Sequence, residues 1–254
     1  MQKDDWMTPP NILVLQPNQV HVWRVFLDRG PVSAQWIEST LSAEEAERAA
    51  RFHFDRDRQR FVIAHAALRD ILSRYLGCRP KALTFSVNSY GKPELTNHEL
   101  EFNLSHSGDY ALIAAARGHK VGVDVEHIRM DKDLESIANR FFSPSELSEF
   151  MALPPERKAV GFFNCWTRKE AYIKAQGLGL SLSLDSFDVS LTPNEPAILR
   201  TTRPNPAESV RWALRLLVVH SDYIAAVAVE DATPSPPEGQ GLEFRLWDWD
   251  RQIK

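Results

Sequence analysis

The order of residues in the first half of this chain returns in the second. Val20, Val22, Leu41-Ser42 and Phe61 each have a counterpart 101 residues later, at Val121, Val123, Phe142-Ser143 and Phe162, and Phe85 maps to Phe187 at an offset of 102. His106-Ser-Gly-Asp-Tyr110 recurs as His220-Ser-Asp-Tyr223, followed each time by a strand of small apolar residues. A proline-rich loop around 193–206 absorbs the extra spacing. Shared order with one loop insertion indicates an internal duplication. A chain of this kind folds as two similar halves, and the cleft between them is the place to look for a ligand site.

Within each half the local signals alternate between strand and helix. VHVWRVFLD (20–28) has the two-residue period of a strand. Ser42 with Glu45 three residues on is a capping-box start of a helix. From Arg56 to Tyr75, Phe61, Ala64, Leu68, Ile71 and Leu72 recur at helical spacing, and Gly77 ends the run. LTFSV (83–87) reads as a strand, Tyr90-Gly-Lys-Pro93 as a turn, and 102–116 as two strands joined at a bend. ATPSPPEGQG (232–241) is linker-like, and the tail LEFRLWDWDRQIK reads either as a short docked strand or as a free end.

The second half carries acids that the first lacks. In VGVDVEHIR (121–129), Val121, Val123 and Val125 form one strand face, so Asp124 and Glu126 project together from the other. In WTRKEAYIK (166–174), Glu170 and Lys174 lie one helical turn apart on a common face. Taken singly, a D-x-E pair is ordinarily the solvated side of an edge strand, and Glu170 with Lys174 an exposed helix pair. Folded together they offer three carboxylates and an ammonium. Oxygen ligands of this kind suit Mg²⁺ bound beside a phosphate. At the 101-residue offset Asp124 aligns with Trp23 and Glu170 with Arg69. The first half instead carries basic groups: Arg48, Arg51, Arg56, Lys92 and His106.

Composition narrows the function classes. The chain has 254 residues, 43% of them hydrophobic, enough to bury a sizeable core. A net charge of −4 gives no electrostatic case for nucleic acid or a membrane surface. Its two cysteines, Cys78 and Cys165, form neither a CxxC nor a Cys/His cluster, so a zinc site or disulfide scaffold is not expected. The opening MQKDDWMTPP has no apolar leader core, and no apolar run reaches membrane-span length. A reduced, cytoplasmic location is expected.

GKP (91–93), FNLSHS (102–107), GVDVE (122–126), FFSPSE (141–146) and WTRKEAYIKAQGLGL (166–180), in that order, resemble the 4′-phosphopantetheinyl transferases. The likeness is to the large, broad-specificity type associated with surfactin synthetase, and it spans residues 20–230. It implies an α+β pseudo-dimer of two similar halves, 1–120 and 121–230, followed by a linker and tail, 231–254. It also implies transfer of phosphopantetheine from coenzyme A to a serine of an apo acyl or peptidyl carrier protein, with release of 3′,5′-ADP. Asp124, Glu126 and Glu170 then correspond to Mg²⁺ ligands. Glu170, or a water held by the metal, corresponds to the base, and Lys174 to a phosphate contact. Arg48 and His106 would receive the 3′-phosphate, with Gly91, Lys92 and Ser105 lining the coenzyme A pocket.

Two positions depart from the family pattern. Glu44 and Glu45 stand where a further basic residue is often found before Arg48, and Val125 separates the two acids where some members have a third. Phe142, Leu147 and Phe150 are either a carrier-docking patch or core. Two other readings remain: a carrier-protein binder without activity, and a Mg²⁺-dependent hydrolase of the coenzyme A pyrophosphate. Because the repeat supplies both walls of a cleft, a monomer is expected.

Overall fold

In this computed structural model the chain is described over residues 4–30, 32–96, 100–129, 133–231 and 241–250. The first half runs β1 (Gln19–Phe26), α1 (Ala34–Thr40), α2 (Ala43–Ala50), α3 (Asp55–Leu76), β2 (Phe85–Val87), β3 (Pro93–Leu95), β4 (Leu100–Ser107) and β5 (Tyr110–Arg117). The second repeats it as β6 (Val121–His127), α4 (Leu134–Phe141), α5 (Pro144–Ala152), α6 (Pro155–Gln176), β7 (Phe187–Val189), β8 (Leu199–Thr202), β9 (Trp212–Leu217) and β10 (Tyr223–Glu230). A last strand, β11 (Glu243–Asp248), pairs in parallel with β1. The linker expected at 232–241 lies outside the described residues except for Gly241.

Strand register supports the duplication. Val20 pairs with Ala116 and Trp23 with Ile113, while Val121 pairs with Val229 and Asp124 with Ala226. Tyr110 and Tyr223 open equivalent strands, so Trp23 and Asp124 occupy equivalent positions, as the 101-residue offset requires. The long helices follow a different offset. α3 ends at Gly77 and α6 at Gly177, both left-handed, so the helices align at 100. The buried cations agree: Arg69 pairs with Glu45, and Lys169 pairs with Glu146. Those acids close the capping boxes of α2 and α5. The counterpart of Glu170 is therefore Asp70, not Arg69.

Alternation along the strands builds the layers. Val20, Val22, Leu112 and Ala114 from the sheet β11-β1-β5-β4 meet Val121, Val123, Ala225 and Val227 from the sheet β6-β10-β9 in one shared core. The other face of each sheet carries its own long helix: Trp23, Ile113 and Ala115 pack with α3, and Ala226 and Ala228 with α6. Phe142 and Phe150 are buried in the second helix–sheet core, with Leu147 against it, which makes them core and not a docking patch.

Candidate functional site

The strand face that carries Asp124 and Glu126 is covered by α6. Gly122 permits this, because a Cβ there would sit 2.1 Å from the carbonyl oxygen of Ala171 and 2.3 Å from the nitrogen of Ala175. Helix backbone thus lies on strand backbone, and Glu170 and Lys174 are delivered to the acids. Asp124 is only 4% exposed, so it is a buried group and not the solvated one that strand alternation alone suggests.

Lys174 pairs with Asp124 and not with Glu170: its Nζ lies 2.5 Å from Asp124 Oδ1. Ser105 Oγ donates to the same oxygen at 2.9 Å and lies 3.0 Å from Lys174 Nζ. Asp124 Oδ2 is buried and has no hydrogen-bond partner. Glu126 accepts from Ser107 Oγ at 3.0 Å. Burial pushes the Glu170 carboxyl above its usual pKa, and Asp124 and then Glu126 add to the rise while Lys174 opposes it. Among the described residues, no three carboxylate, histidine or cysteine side chains stand close enough together to hold a metal ion. The donor chemistry nonetheless fits a hard divalent cation. It consists of oxygens only, one of them buried without a partner, and the Asp124 and Glu126 carboxylates raise the pKa of Glu170.

The first half supplies the facing wall. His106, near the end of β4, keeps solvent access, yet its pKa is lowered, first by burial and then by His65, Lys174 and Arg60. Arg48, on the last turn of α2, lies over the Phe61 ring at 5.2 Å, and that ring packs on His65 at 4.1 Å. His65 and Arg60 thus belong to the basic wall, although the sequence reading passed over them. Both lie on α3, and His65 falls one turn after Phe61, a weak signal for function. Arg56 and Arg60 both hold Asp109, and Arg51 pairs with the exposed Glu47.

Glu45 has its own task, which accounts for the acid found before Arg48. Burial would raise its pKa, but hydrogen bonds from His65 and Arg69 prevail and hold it at about 2. The Gly91-Lys92 turn also differs from expectation. Gly91 has φ +88 with nothing near its missing Cβ, so it serves the turn and not a close approach. The Lys92 ammonium points inward, 3.3 Å from the carbonyls of Val121 and of Ala175, and burial lowers its pKa. Asn88 Nδ2 donates to Gly177 O at 2.9 Å, so this turn clamps the first half to the end of α6. Ser105 likewise is engaged by Asp124 and Lys174 behind the site. A cavity of about 840 Å³ lies elsewhere, between Trp6, Arg24, Tyr110 and His220. Its arginines are already paired, Arg24 with Asp248 and Arg29 with Asp250, which leaves the carboxylate cleft as the candidate.

Comparison with known proteins covers both halves. Residues 30–118 match the family described as "4'-phosphopantetheinyl transferase, N-terminal", and residues 120–228 match the "4'-phosphopantetheinyl transferase superfamily". The 4'-phosphopantetheinyl transferase HetI of Nostoc sp. is 42% identical over 253 residues, covering 98% of this chain and 100% of its own length. The 4'-phosphopantetheinyl transferase Sfp of Bacillus subtilis is 35% identical over 217 residues, 80% of this chain and 93% of its own. A solved structure of Thermotoga maritima holo-[acyl-carrier-protein] synthase aligns over 45% of this chain and 64% of its own, at 23% identity and a TM-score of 0.36.

Proposed function

This chain belongs to the 4′-phosphopantetheinyl transferases, which move phosphopantetheine from coenzyme A to carrier proteins, and from that premise we propose how its own residues divide the reaction. Asp124, Glu126 and Glu170 would hold Mg²⁺, which when bound neutralises the pyrophosphate of coenzyme A as the bond to the leaving 3′,5′-ADP breaks. Lys174 brings a second positive charge to the transferred phosphate from its place beside Asp124 and Ser105. Glu170, its carboxyl raised above the usual range by burial and the neighbouring acids, takes the proton of the acceptor serine. His106 and Arg48, supported by Arg60 and His65, receive the 3′-phosphate, for which a guanidinium fork is well shaped. The acceptor is an apo acyl or peptidyl carrier protein, and one chain suffices.

The observation that carries this division is Asp124 Oδ2, a buried carboxylate oxygen without a hydrogen-bond partner, beside an Oδ1 already taken by Lys174 and Ser105. An oxygen in that state is costly unless a cation meets it. Intact mass spectrometry of apo carrier proteins incubated with the protein, coenzyme A and Mg²⁺ tests the reading. The carrier should gain one phosphopantetheine mass, and removal of the divalent ion with a chelator should abolish the gain. Unmodified carriers, with 3′,5′-ADP released in their absence, would make the site a hydrolase instead.

A further inference from the structure

The two halves do not meet at β4 and β6 through a backbone ladder. Asn103, Ser105 and Ser107 alternate on one face of β4, and their side-chain oxygens accept the backbone N–H groups of Val123 at 2.9 Å, Val125 at 3.4 Å and His127 at 3.1 Å. Both strands advance by two residues per contact, so three side chains from the first half stand in for a neighbouring strand along the edge of the second. The serines also have a proton to give. Ser105 donates to Asp124 Oδ1 at 2.9 Å and Ser107 to Glu126 Oε2 at 3.0 Å. Each serine therefore grips one acid twice, by its carboxylate and by the N–H of the residue that follows it.

We propose that Ser107 is a positioning residue for Glu126 and that Asn103 sets the register in which it acts, so that β4 of one half aims the carboxylates of the other. This rests on the reading of Glu126 as a metal ligand. The duplication supplies an internal comparison. Ser105 pairs with Leu112 and Asn103 with Ala114, whereas in the second half Leu217 pairs with Ala225 and Arg215 with Val227. With Tyr110 and Tyr223 equivalent, Asn103 and Ser105 correspond to Arg215 and Leu217. Opposite those residues Trp23 stands in place of Asp124 and Val25 in place of Glu126. The hydroxyl ladder is present where the acids are and missing where they are missing. A device needed only to join the halves would have no reason to follow the acids.

Ser107 is the position to test, because Ser105 is buried against Lys174 and its removal would disturb the core. The measurement is Mn²⁺ binding in the presence of coenzyme A, read from the paramagnetic signal of the free ion. Ser107→Ala should weaken Mn²⁺ about tenfold, the usual loss when a partner behind a ligand is removed. Ser107→Thr, which keeps the hydroxyl, should restore it. In a Glu126→Gln background, titrated at higher Mn²⁺, Ser107→Ala should add no further loss. The turnover lost in Ser107→Ala should return as Mg²⁺ is raised, and the unfolding midpoint of the metal-free protein should stay within a degree or two. An unchanged Mn²⁺ affinity, or an equal loss in the Glu126→Gln background, would overturn the proposal and leave Ser107 as a joint between halves. Failure of the unaltered protein to bind Mn²⁺ at all would remove the metal site itself, and this proposal with it.

Discussion

Asp124 is asked to do two things at once: it neutralises Lys174 through Oδ1 and keeps Oδ2 open. Its replacement therefore affects stability as well as turnover. Asp124→Ala removes the counter-ion of a largely covered ammonium and should cost about 2 kcal/mol, below the full value for a buried pair because Lys174 is partly solvated. Asp124→Asn keeps the shape and should stay folded while turnover falls on the order of a hundredfold, about 3 kcal/mol of transition-state stabilisation. Urea unfolding beside steady-state rates separates the two effects, and a folded Asp124→Asn protein with near-normal rates would remove this residue from the site. His106 carries a different expectation. Its lowered pKa leaves the ring mainly neutral at pH 7 in the free protein, whereas a phosphate set beside it favours the imidazolium. Binding of coenzyme A should then take up a proton, and affinity should rise as pH falls from 8 towards 6. Calorimetry in buffers of different ionisation enthalpy reads the uptake. It should vanish in His106→Gln and be small for dephospho-coenzyme A, and equal uptake for both ligands would detach His106 from the 3′-phosphate.

At the scale of elements, β11 decides how the first half is sealed. It pairs with β1 from Gln19–Glu243 to Arg24–Asp248, and the residue beyond it, Trp249, is 1% exposed with Nε1 donating to Asp70 Oδ2 at 3.0 Å. Trp249→Ala should cost about 3–5 kcal/mol, the usual loss for a buried aromatic, and Trp249→Phe about 1–2 kcal/mol for the lost hydrogen bond. Denaturant midpoints check this, and a loss under 1 kcal/mol for Trp249→Ala would mean that the tail is only loosely seated. The tail's docked-strand reading is the one the structure adopts, but no local pattern could name its partner, which lies 224 residues away beyond a proline-rich segment. Signals confined to one element were legible: the capping box at Ser42, the stop at Gly77, the bend between β4 and β5. The alignment of the helices was not, because strands and capping boxes repeat at 101 residues and the long helices at 100, a slip exposed by the helix ends at Gly77 and Gly177 together with the paired cations Arg69 and Lys169. The acid pair on β6 was legible as a pair. That its face is covered was not, because Gly122 reveals its purpose only with α6 lying on it.

For the whole molecule, duplication raises the question of a second active cleft. Position by position, Trp23, Val25, Asp70 and Arg74 occupy the places of Asp124, Glu126, Glu170 and Lys174. Arg74 lies over the Trp23 ring at 5.4 Å where Lys174 would meet a carboxylate, and Asp70 accepts from Trp249. All four groups that could address a metal or a phosphate are thus replaced or occupied, and the tail closes the strand edge beside them. The surviving cleft takes its acids from one half and its basic wall from the other, so both walls already lie in one chain. The expected assembly is a monomer that binds one coenzyme A. Calorimetric titration with coenzyme A and Mg²⁺ should give a stoichiometry near one, and sedimentation at the same concentration should give the mass of a single chain. Two coenzyme A molecules per chain would show that the Trp23 cleft still binds ligand. A dimer that dissociates with loss of activity would show that the cleft needs a wall this chain does not supply.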